Sequence, residues 1–87
     1  MAIIKEVNSL QDIKVQIVKS RPDLYVYATK NKSEAKGSDY IWFYSNSYID
    51  KKIKFVNSSP DLTIQYVSSK SKAGWNNRKH KLQKRIG

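Results

Sequence analysis

Apolar and polar residues alternate along this chain in short stretches. In "DIKVQIV" Ile13, Val15 and Ile17 alternate with Lys14 and Gln16, and in "DKKIKFV" Ile53 and Phe55 alternate with Lys52 and Lys54. "DLTIQYV" places Leu62, Ile64 and Tyr66 on one side, and "DLYVYAT" places Leu24, Val26 and Ala28 on one side with Tyr25 and Tyr27 on the other. A period of two, rich in β-branched and aromatic residues, predicts strands with one buried face. Tyrosine suits the outward positions because it joins an apolar ring to a polar tip. The run "YIWFY", Tyr40 to Tyr44, predicts another strand, with Trp42 in or beside the core.

The strands sit in units of eleven residues headed by Ser9, Ser20, Asn31, Ser47, Ser58 and Ser69. Three positions after the head stands an acid in five units, Asp12, Asp23, Glu34, Asp50 and Asp61, while the sixth has Lys72. Ser-x-x-acid would also suit a helix capping box. A helix, however, needs apolar residues at i, i+3 and i+4, and here they fall at i, i+2 and i+4, so the phrases read as turns. Pro22 and Pro60 are expected to fix φ at the first central turn position, and Asp23 and Asp61 to bind nearby amides. The repeated Ser and Asp residues thus read as turn-formers rather than catalysts.

Sliding the chain by 38 residues aligns thirteen identities over the 33 positions from Ile3 to Ala35, among them Asn8 with Asn46, Asp12 with Asp50, Pro22 with Pro60 and Leu24 with Leu62. Chance would give roughly two or three, so an internal duplication is expected, with halves at about 3–38 and 41–76. About six short strands follow from this, in an all-β fold. The stretch Lys36 to Asp39 reads as the loop between the halves, and the basic segment 77–87 as coil or a short last helix.

Length and composition narrow the reading further. Eighty-seven residues suit a single domain, 1–87, because so short a chain buries only about 60 to 65% of its unfolded surface. Without cysteine, neither disulfides nor thiolate zinc sites can supplement the core. The N-terminus has no basic leader or apolar h-region, and "YIWFY" is too short to span a bilayer, so a soluble cytoplasmic protein with no membrane association is expected. The net charge of +10 is concentrated at the end: residues 70–87 hold seven basic residues and no acid. The body carries the remaining +3.

The Ser-x-x-Asp phrases, the aromatic centre "YIWFY" and the closing "AGWNNRKHKLQ" together resemble the septknot family of small bacterial proteins, formerly a domain of unknown function. Ala73, Gly74, Trp75, Asn77, His80, Leu82 and Gln83 carry the closing motif, and Lys81 departs from the family's proline. The resemblance implies an all-β monomer whose backbone is tied into a seven-crossing torus knot, with no established activity, substrate or cofactor. Two similar half-chains wound about one axis would be consistent with such a knot.

The chain offers little catalytic chemistry. His80 is the lone histidine and lies among like charges, so its expected role is to hydrogen-bond the tail to the body. One histidine and no cysteine leave only carboxylates spaced eleven apart for a metal, so no metal or cofactor is expected, and no enzyme. Asp12 and Asp50, equivalent under the 38-residue shift, could form an acid–base pair if they met in an apolar cleft. Trp75 reads either as a plug closing the end of the fold or as a stacking platform. Two functions remain. One is a structural domain that resists mechanical unfolding and proteolysis. The other is a basic module for nucleic acid or another acidic partner, in which the stretch Lys70 to Arg85, with Arg78, Lys79, Lys81, Lys84 and Arg85, would contact phosphates and Tyr25, Tyr27 or Trp75 would offer stacking faces.

Overall fold

The computed structural model describes residues 2–35 and 38–86. Its strands are β1 (Ile3–Glu6), β2 (Ile13–Ile17), β3 (Leu24–Ala28), β4 (Ile41–Tyr44), β5 (Lys51–Phe55), β6 (Leu62–Tyr66) and a two-residue β7 (Gly74–Trp75). Two 3-10 turns, Lys32–Ala35 and Lys70–Lys72, interrupt the series. β1, β2, β3 and the first turn recur 38 residues later as β4, β5, β6 and the second turn. β7 is an addition to the expected strands, since alternation cannot register in two residues. Of the expected inter-half loop, Lys36 and Gly37 lie outside the described residues.

β1 to β6 form a closed barrel in the circular order β1-β5-β2-β6-β3-β4, every pair parallel and β4 returning to β1. Each strand of one half therefore lies between two strands of the other. From β1 to β6 the chain travels about one and a half circuits of the barrel. Parallel neighbours in sequence normally need a crossover of about a dozen residues or more. Here residues 7–12 suffice between β1 and β2, because the strands are steeply staggered. Ile53 faces Glu6 across one edge and Ile13 across the other, so β2 begins at the level where β1 ends. The same offset of about two residues recurs at nearly every step round the barrel.

The stagger turns the eleven-residue spacing into layers. Ile4, Ile53, Val15, Ile64, Val26 and Trp42 form one ring across the interior, all with 0% exposure. Trp42 is thus wholly in the core, and its indole Nε1 donates to the carbonyl of Asp39 at 2.7 Å. At about 25 cal/mol per Å² of buried apolar surface, this ring supplies much of the stabilisation in a chain without covalent staples.

The turn aspartates do more than close local turns. Asp12 N–H donates to Lys52 O at 2.8 Å while the Asp12 carboxylate accepts from Lys52 N–H at 2.9 Å. Asp50 makes the same two-point clamp on Ile3, Asp61 on Lys14 and Asp23 on Thr63. Each acid therefore binds a strand of the opposite half, 40 or 47 residues away, rather than its own turn. Asp12 and Asp50 are committed to separate strands by these bonds. The unusual turn conformation also falls elsewhere than on the prolines. Leu10, Arg21, Tyr48 and Ser59 have φ of 60°, 51°, 53° and 50°, the left-handed region, which costs a non-glycine residue about 1 kcal/mol. The clamps that follow hold the chain in that conformation.

Candidate polyanion groove beside the tail

The chain after β6 is ordered by a succession of anchors. Gly74, with φ +152°, begins β7, which runs antiparallel to β3 with Trp75 opposite Leu24. Asn76 and Asn77 N–H groups both donate to Asp23 O, at 2.9 and 3.0 Å, and Asn76 Nδ2 donates to Pro22 O at 2.9 Å. Residues 77–85 then form turns closed by i to i−3 bonds, rather than a helix. His80 Nδ1 accepts from Leu82 N–H at 3.1 Å, so the ring proton sits on Nε2, which donates to Asp61 O at 3.0 Å. The imidazole stacks on Trp75, ring centres 5.5 Å apart at 26°.

Asp39 is the second anchor and is buried, at 8% exposure. Its carboxylate accepts from Trp75 Nε1 at 3.0 Å, from Ile86 N–H at 3.1 Å and from Lys84 N–H. These bonds bring Ile86, 2% exposed, into the same apolar cluster as Leu24, Leu62 and Trp42, with Trp75 and Leu82 packed against it. Trp75 is therefore a structural plug that also presents surface.

Electrostatics follow from these contacts. Partial burial of Asp23 favours its neutral form, but the Thr63 amide, the Asn77 carboxamide, the Thr63 hydroxyl and nearby His80 outweigh it. Together they hold the Asp23 carboxyl below its ordinary 3.8. At the far end of the barrel, burial, the hydroxyl bond to Tyr66 and the charge of Glu6 push the Tyr44 phenol well above its ordinary 10.0.

The presented surface of Trp75 lines an open groove of about 430 Å³, together with Tyr25, Tyr40, Lys72, Arg78 and Gln83. Of the basic-segment candidates, the fold brings only Trp75 and Arg78 to this groove. Arg85 lines a different groove beside Asp12, Lys51 and Leu82, while Lys79, Lys81 and Lys84 are exposed outside both. Tyr25 joins the groove from the outward face of β3; Tyr27 does not line it. Tyr40 and Gln83 are not among the residues expected to bind, whereas Lys72 lies in the basic stretch Lys70 to Arg85. Lys72 also carries a signal, as the one cation where five units have an acid.

The fold and its anchored tail define a class: a small closed parallel barrel built from two interlaced half-chains, plugged at one end by its own C-terminal segment. The family model of the 7(1) septoil knot domain matches residues 1–76, and the chain belongs to that family. The match ends at Asn76, so the turns from Asn77 onward lie beyond it. No curated protein matches the chain. No helix among the described residues is long and apolar enough to cross a membrane.

Proposed function

We propose that this chain is a non-enzymatic structural domain that resists mechanical unfolding and proteolysis. One observation carries the reading: every barrel strand lies between two strands of the opposite half, so no half-chain can detach alone without breaking its pairing on both sides. The one-and-a-half-circuit winding suits the seven-crossing knot after which the family is named, and a knot tightens when pulled from its ends. Unfolding is then opposed by topology as well as by hydrogen bonds. The test is an unfoldase assay with a degradation tag at either end, alongside unfolding in denaturant. The expected result is stalled degradation from both ends and an unfolding rate below about 10⁻⁴ s⁻¹ in water. Prompt degradation from both ends with fast unfolding would defeat the reading.

A second reading is favoured by the groove, where Lys72 and Arg78 converge with Tyr25 and Trp75. On it, the C-terminal segment binds nucleic acid or another polyanion. Lysine outnumbers arginine fourteen to three, which suits diffuse contact with phosphates more than bidentate recognition. Affinity for single-stranded RNA or DNA should fall steeply between low and moderate salt and weaken when Lys79, Lys81, Lys84 and Arg85 are neutralised. Absence of binding at both salts would end this reading.

A further inference from the structure

Three surface grooves among the described residues differ in their chemistry. One is lined by Asp12 beside Lys51 and Arg85, and another by Glu6 beside Lys5, so each sets a carboxylate beside its positive charge. The groove at β7 has two cations, three aromatic rings and a carboxamide, with no acid in its lining. That combination matches a ligand with both a flat π-face and a concentrated negative charge.

We propose that this groove is a slot for a single nucleotide unit, its base against the Tyr25, Tyr40 and Trp75 rings and its phosphate between Lys72 and Arg78. The inference rests on the polyanion reading and narrows it from a charged segment to one built site. The volume of about 430 Å³ falls within the range of about 300 to 1,000 Å³ usual for small-ligand pockets. The Trp75 ring is fixed in advance by its bond to Asp39 and its stack on His80, so a base would not have to immobilise it. The Gln83 carboxamide offers both a donor and acceptors to a base edge. Lys79, Lys81, Lys84 and Arg85 then act as a surrounding positive field rather than as the site.

The same chemistry could arrive as a free nucleotide or as part of a strand, and tryptophan emission can separate the two. Trp42 is fully buried, so quenching by an added base reports on Trp75. The full-length protein is titrated at low salt with thymidine monophosphate, with a ten-residue thymidylate strand, and with an abasic strand of equal length and charge. We expect quenching and binding of the thymidylate strand at least about tenfold tighter than the abasic one. A Lys72→Ala, Arg78→Ala double variant, both side chains being exposed, should lose about tenfold in affinity for base-containing ligands. Quenching by the monophosphate with the same sensitivity identifies a free-nucleotide slot; quenching by the strand alone identifies a strand-binding one. Equal affinity for thymidylate and abasic strands would overturn the slot while leaving the polyanion reading standing. Failure of every ligand to bind would remove both.

Discussion

The two ends of the barrel are built from the same repeat, but only one of them is covered by the tail. Where β2, β3 and β6 begin, Ile13, Leu24 and Leu62 belong to a core cluster completed by Ile86, Leu82 and Trp75 from the tail. Where the strands finish, Ile17, Tyr44 and Tyr66 are 52%, 37% and 38% exposed, and the hydroxyls of the two tyrosines are hydrogen-bonded to each other. The repeating units thus make an open tube. A dry end requires a segment from outside the repeat, and Asp39, between the halves, holds that segment in place.

The largest effect should come from removing the anchor. Asp39→Ala would leave the amides of Lys84 and Ile86 and the Trp75 indole without their shared acceptor. A loss of about 3 to 5 kcal/mol is expected in denaturant unfolding, with early protease cleavage after residue 76. The contrast between the ends is sharpened by Ile86→Ala against Ile17→Ala. The first should cost about 2 to 4 kcal/mol and the second under about 1, because only Ile86 leaves a cavity.

Much of the tube was legible in the sequence, and most of its fastenings were not. Alternation in "DIKVQIV" and "DLTIQYV" predicts β2 and β6 because a half-buried strand leaves a local, period-two trace. The acids at Asp12 and Asp50 show their spacing but conceal their partners, since a clamp on Lys52 or Ile3 depends on which strand of the other half arrives beside it. Asp39 reads as a loop residue because its bonds to Trp75 and Ile86 span 36 and 47 positions and leave no periodic trace. For the groove, Trp75 and Arg78 could be singled out by type and charge. Gathering Tyr25 from β3 and excluding Lys79 and Lys81 required the antiparallel register of β7 on β3.

Acid should weaken the tail-covered end in a defined window. The Asp23 carboxyl is held below its ordinary 3.8, so its stabilising contribution is complete above that value and is lost as pH falls through the lower folded value. Asp23→Asn should therefore flatten the dependence of stability on pH below about 4, measured as denaturant midpoints between about pH 5 and 2.

The smallest effect is expected at the open end, and its sign with pH is opposite. Tyr44→Phe removes the hydroxyl contact with Tyr66 but leaves the Tyr66 hydroxyl access to water, so the loss at neutral pH should be about 1 kcal/mol or less. Because the folded Tyr44 phenol titrates well above 10.0, the folded chain holds a proton that the unfolded chain begins to release near that value. Stability should then fall as pH rises past about 10, and Tyr44→Phe should remove part of that fall. An unchanged alkaline slope would mean that Tyr44 holds its proton no more tightly in the folded chain than in the unfolded one, so that its contact with Tyr66 adds nothing to the open end.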